Sequence, residues 1–271
     1  MTSKATRLLL VALVLLGVSH APAPAQTPAA ATSAPVPAED ADRLFQAFVE
    51  DAAIVRSQWW EGQIDFASWD DLDVSSASLV VALRPFRDLE VGGRVGFGST
   101  SADGMLPDGS GATDADVWGK WLFGGGGGPA DFAVGVRATV PTGDDQAGLG
   151  FDSFAIEAFG AMRYELRALT VAGHLGFRMN EDGQIQGFEL DGKTSAVLGG
   201  AILYPFARSA SLVGELTLET ERFDGMDSDI RALGGIDWNV TSRGVLRGAV
   251  SVGLSDGAPD RRFLAGYAYS F

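Results

Sequence analysis

The chain has 271 residues, with 35 acidic against 20 basic side chains, no cysteine, 36 glycines and 11 prolines. A formal charge of −15 argues against a nucleic-acid partner, because a phosphate backbone demands the opposite sign. Without cysteine there are no disulfide staples, so an exported chain of this composition has to be held by a large core or by a closed hydrogen-bonded sheet.

The amino terminus carries Lys4 and Arg7, an apolar run from Leu8 to Val18, and then Ala23, Pro24 and Ala25 before Gln26. This is the layout of a secretory signal, and cleavage is expected after Ala25. The run is too short to span a bilayer as a helix, which takes about 20 residues. Residues 1–25 are therefore read as a signal peptide, and their loss leaves 18 basic residues against 35 acidic ones. Residues 26–38 are Ala, Pro, Thr and Ser with little else, the composition of an extended linker that cannot bury a core. Over residues 39–56, Leu44, Phe45, Phe48, Val49 and Ala52 recur at helical spacing, with Asp40, Asp42, Glu50 and Asp51 on other faces. A short amphipathic helix is expected there. It is read as a lead-in to the first strand, with a plug or a periplasmic cap as the alternative.

From residue 57 onward the period changes to two. Leu89, Val91, Gly93, Val95 and Phe97 share one face, and Glu90, Gly92, Arg94 and Gly96 the other. The same alternation sets Phe132, Val134, Val136 and Ala138 against Asp131, Ala133, Gly135 and Arg137. Twelve such segments are assigned, at 58–68, 75–84, 88–98, 114–123, 131–140, 154–164, 169–179, 194–204, 211–220, 230–240, 245–254 and 262–271. Their length suits a tilted strand crossing an outer membrane, about 10 residues. Long connections at 99–113, 141–153 and 180–193 alternate with short ones at 84–87, 165–168, 204–210 and 241–244, the asymmetry of outside loops and periplasmic turns. The expected fold is an all-β, transmembrane, antiparallel up-and-down barrel of about twelve strands over residues 57–271, with a short N-terminal helix, in the bacterial outer membrane. A soluble β-sandwich is the competing fold, disfavoured because charges gather on one phase of every strand.

The last strand ends Phe263, Leu264, Ala265, Gly266, Tyr267, Ala268, Tyr269, Ser270, Phe271. Gly266, Tyr269 and Phe271 resemble the signal by which the barrel-assembly machinery recognises its clients, although Leu264 stands where that pattern has a polar residue. The segment from Val252 to Asp260 and its closing strand, together with Val140, Pro141, Thr142, Gly143 and Asp144, resemble transporter-like outer-membrane proteins of the meta-pathway of phenol degradation. The resemblance implies a passive channel or uptake protein for small, often aromatic molecules, and brings no catalytic residues with it.

Only His174 remains after signal cleavage, so neither a histidine metal cluster nor a cysteine nucleophile is available; the expectation is no enzyme, no metal and no cofactor. The residues expected to carry charge into the lumen are Glu90, Arg94, Asp114, Asp116, Lys120, Asp131, Arg137, Glu157, Arg163, His174, Arg178, Glu215, Glu219, Arg231, Asp237, Arg247 and Arg262. Mixed signs point to ion pairs within a narrow tube. The outside loops are acidic, which predicts steering of cations or a bridge to lipopolysaccharide through divalent ions. The expected function is a passive channel for small solutes, aromatic or weakly cationic. A sealed structural or surface-interaction barrel is the alternative, and an outer-membrane hydrolase is a third reading. Expected partners are outer-membrane lipid and lipopolysaccharide, the barrel-assembly machinery and a small-molecule solute.

Overall fold

A computed structural model describes residues 44–45, 48–102, 108–123, 129–167 and 169–271. The expected signal peptide and linker lie outside the described residues. Among the described residues fifteen strands occur in chain order: β1 (Gln58–Ser68), β2 (Leu72–Phe86), β3 (Leu89–Ala102), β4 (Gly109–Ala112), β5 (Ala115–Phe123), β6 (Ala130–Val140), β7 (Ala155–Glu165), β8 (Thr170–Asn180), β9 (Gly183–Ile185), β10 (Phe188–Leu190), β11 (Thr194–Ala207), β12 (Ala210–Glu219), β13 (Asp229–Asn239), β14 (Gly244–Gly253) and β15 (Arg261–Ser270). Twelve of them form the wall, each antiparallel to its chain neighbours. The wall closes where β1 pairs with β15, from Trp59 opposite Ser270 to Ser68 opposite Arg261. Closure removes both sheet edges, so every wall strand can satisfy its backbone within the sheet, which a membrane requires.

The twelve wall strands match the twelve sequence segments to within a few residues at each end. The three additional strands belong to long connections: β4 folds back on the outer half of β3, and β9 pairs with β10 as a separate hairpin. Short strands inside loops carry no clear period, so the alternation had nothing to register there. Where wall pairing slips, the chain carries a residue that cannot donate to the ladder. Pro205 sits at the irregularity between β11 and β12, where its missing N–H costs nothing.

The alternation divides the wall. Phe66, Phe97, Phe132, Phe177, Leu216 and Phe263 are 50–60% exposed on the outer face, part of an apolar belt far larger than water tolerates and suited to lipid. On the same outer face, Trp60 lies edge-on to Tyr267 with ring centroids 5.8 Å apart, and Tyr269 meets Phe271 at 5.1 Å, forming an aromatic cluster at the short-turn end. The opposite phase points inward.

Candidate functional site

The lumen is not filled by its wall alone. Leu44, Phe45, Phe48 and Val49, which precede β1, form one buried cluster with the inward-facing Ala172, Ala201, Leu203, Val213, Leu233, Ala249 and Leu264. Residue 44 lies low in the tube, where its carbonyl accepts from Arg247 Nη1 at 3.1 Å. The chain rises to Phe48, whose ring lies under Arg262 and Arg231 near the long-loop ends of β15 and β13, at 4.9 and 5.4 Å from the guanidinium carbons. It then descends to Val55, whose N–H donates to Glu90 Oε2 at 2.8 Å near the short-turn end of β3. The described residues of this segment therefore lie inside the tube, packed against its wall as a plug.

The helix expected over 39–56 is absent among its described residues, which form bends and extended chain. The physical reason is that the wall supplies the backbone partners a helix would otherwise provide. Lys120 Nζ donates to the carbonyls of Asp51 and Ala53, both at 2.8 Å, and stands 3.4 Å from Glu90. Asp51 also accepts from its own chain two residues on, at the N–H of Ala53 (3.0 Å), a local turn that competes with helix. Its other oxygen accepts from Arg163 Nη1 at 2.6 Å, and Glu50 pairs with Arg137.

Lys120, Glu90, Glu61 and Arg247 have completely buried side chains. Buried charges persist only where geometry and additional hydrogen bonds offset their desolvation. Glu90 accepts from Val55 and from Trp118 Nε1 (3.2 Å) as well as facing Lys120. Arg247 lies 3.2 Å from Glu61 and 3.6 Å from Asp237, with Phe45 against its guanidinium.

Glycine creates the room for the plug at one point on β11. A Cβ at Gly199 would lie 2.9 Å from Val49 Cγ2, closer than real side chains approach, whereas one at Gly200, on the lipid side, would meet nothing. Gly199→Leu is expected to force residues 48–50 off the wall, and Gly200→Leu to leave them in place. Limited proteolysis of the refolded protein checks this: cleavage between residues 44 and 57 should appear only in the Gly199 variant. Equal protection of both variants would rule out a tightly seated plug.

Above Phe48 the tube opens into a vestibule of about 860 Å3 at the long-loop end. Arg94, Arg137, Arg178, Arg222, Arg231 and Arg262 reach its walls. Acids alternate with them around the tube. Arg94 pairs with Asp116, which also accepts from Thr139 Oγ1 at 2.7 Å. Arg178 bridges Glu157 and Glu219, both at 2.7 Å, and Arg231 and Arg262 pair with Asp229 and Asp65. His174 Nε2 lies 3.2 Å from Glu157, and its ring meets Phe159 edge-on at 5.8 Å. It thus sits inside the ionic cluster formed with Glu157, Arg178 and Glu219. Glu215 and Asp237 are buried on β12 and β13 at the level of the plug.

Four acids outside the expected lumen set structure the site: Glu50 and Asp51, which the sequence placed on the polar faces of the expected helix, and Glu61 and Asp65, which it did not single out, on the inward phase of β1 with Trp59 and Gln63. The phase of β1 was readable; the plug's acids carried no period-two signal. Leu264, the departure from the assembly pattern, faces inward and packs in the plug cluster, which accounts for an apolar residue there.

Loops shape the mouth. Asp114 accepts from the N–H groups of Gly143 (3.0 Å) and Phe151 (3.4 Å), yet burial outweighs these bonds and pushes its carboxyl above the ordinary range. Lys193, exposed on the loop before β11, is raised to about 12 by hydrogen bonds to Glu221 and Asp224.

No family model matches the chain, and no curated protein is similar to it. Solved structures are. The chain is similar to the COG4313 outer membrane channel from Pseudomonas putida F1, with 14% identity and a TM-score of 0.68 over 85% of this chain and 100% of that one. It is also similar to the NanC porin (8% identity, TM-score 0.55, 79% and 100% covered) and the KdgM porin (14%, 0.52, 78% and 99%). At these identities the likeness is one of fold.

Proposed function

We propose that this protein is a passive outer-membrane channel whose outward vestibule receives a small solute and whose lower lumen is gated by its own N-terminal segment. The observation that carries the reading is the division of the lumen at Phe48: an open vestibule on the long-loop side, and on the other a plug held by both apolar packing and polar contacts. A tube of twelve strands is wider than wall side chains alone fill, so its bore is set by the segment that occupies it. The porins it resembles support the same reading, and the KdgM porin has been solved in complex with oligogalacturonate. Included in this proposal are the kinship with the phenol-degradation transporters, engagement of the assembly machinery through Gly266, Tyr269 and Phe271, and contact of the acidic loops with lipopolysaccharide.

The test is swelling of proteoliposomes containing the full mature chain in iso-osmotic arabinose. Swelling above that of empty vesicles is expected, falling with solute size. Folded, heat-modifiable protein that admits no arabinose, and conducts no ions in planar bilayers, would sink the channel reading and favour a structural barrel.

A further inference from the structure

Resting on that channel reading, we infer that the vestibule floor is a binding site for the carboxylate of a small organic acid, held by Arg231 and Arg262 above Phe48 with Arg94 at the same level.

Three observations converge. First, at Arg94 and Arg262 the cation faces the cavity more than its counter-ion does. Arg94 is 31% exposed against 9% for Asp116, and Arg262 is 19% against 14% for Asp65, while Arg231, at 17%, stands beside Asp229 at 22%. A solute on the floor therefore meets the guanidinium edges of Arg94 and Arg262 with carboxylates behind them. Second, donors remain. Arg231 and Arg262 each use Nε and Nη2 on a single carboxylate, and Nη1 of each makes no hydrogen bond to a described residue. Guanidinium groups present five donors in a fixed fork suited to carboxylate geometry, so a free edge is a ready acceptor site. Third, the guanidinium carbons of both arginines lie over one ring, Phe48, at 5.4 and 4.9 Å, which holds the two cations together on the floor of the cavity.

Acids also line the cavity, and they set a limit on this site. Asp70, Asp71, Asp227 and Asp256 at the rim have exposed side chains. Charges hydrated in that way are screened over a Debye length of about 8 Å at physiological ionic strength. On the floor the dielectric is lower and the arginines act at contact distance. Rim repulsion slows entry of an anion; the floor decides what stays.

The probe is a matched pair, benzoate and benzamide, titrated calorimetrically into the refolded full mature chain. Benzoate is expected to bind at least tenfold more tightly than benzamide. Arg231→Gln and Arg262→Gln are each expected to weaken benzoate at least tenfold. Asp65→Asn, which releases Arg262 from its partner, should tighten it several-fold. This last variant separates binding from architecture, since a ring of purely structural ion pairs predicts that Asp65→Asn harms the protein as Arg262→Gln does and gains nothing in affinity. Equal binding of benzoate and benzamide, or weaker benzoate binding in Asp65→Asn, would overturn the inference. If the wild-type chain passes arabinose but does not distinguish the two probes, the channel stands and the carboxylate site falls; if it binds benzoate but passes no arabinose, the channel reading is what fails.

Discussion

Removing residues 39–55 from the mature chain is expected to raise the single-channel conductance of the refolded barrel several-fold while the barrel still folds. The lost segment takes with it Leu44, Phe45, Phe48 and Val49, all buried against the wall. Burial of such side chains is worth about 1.5–3 kcal/mol each, so stability should fall measurably. The wall nevertheless closes on itself through β1 and β15 without any contribution from the plug. Lys120, Arg137 and Arg163 lose their plug partners, but an emptied lumen admits water, so these charges are rehydrated and not left stranded. Planar-bilayer recording, paired with a heat-modifiability gel, reads both halves of the prediction. A folded deletion variant with unchanged conductance would show that residues 44–55 do not obstruct the path.

Lys120→Met tests the opposite situation, in which the plug stays and one charge goes. Lys120 is the only bond donor drawn to the carbonyls of both Asp51 and Ala53 among the described residues, and its side chain is fully buried beside Glu90. Taking it away leaves a buried carboxylate, to which Val55 and Trp118 donate, without the ammonium beside it, and two carbonyls without their donor. Breaking a buried pair from one side costs about 3–5 kcal/mol. We expect a lowered unfolding midpoint in urea together with faster proteolysis of residues 44–57. Glu90→Gln in the same chain should recover part of the loss, giving a coupling energy between the two positions. Strict additivity of the two substitutions would mean the pair does not act as a unit. Gly92 belongs to this cluster, because a Cβ there would overlap the Trp118 ring that donates to Glu90.

The sequence by itself determined the wall. Phe132, Val134 and Val136 on one phase, with Ala133, Gly135 and Arg137 on the other, fix which face meets lipid, because a strand turns its side chains over at every residue. Long and short connections then fixed the two ends. Charges of the inward phase were equally legible as residues, though not as pairs: nothing in the spacing joins Arg178 to both Glu157 and Glu219, which lie on three different strands.

What only the tertiary structure decided is the fate of residues 44–55. Their apolar spacing is helical, and an isolated segment with that pattern reads as a helix. Inside the tube the comparison changes, since Lys120, Arg247 and Glu90 offer the backbone direct partners and the Asx turn at Asp51 breaks the helical path. A sign of this was present in the sequence but could not be interpreted alone. Ala172, Val213, Leu233 and Leu264 are apolar residues on the otherwise polar inward phase, and they need an apolar partner that no lumen water supplies. Strand periodicity tells which way a residue faces; only the closed wall brings together side chains from sequence-distant strands, and only that surface selects the conformation of the chain that fills it.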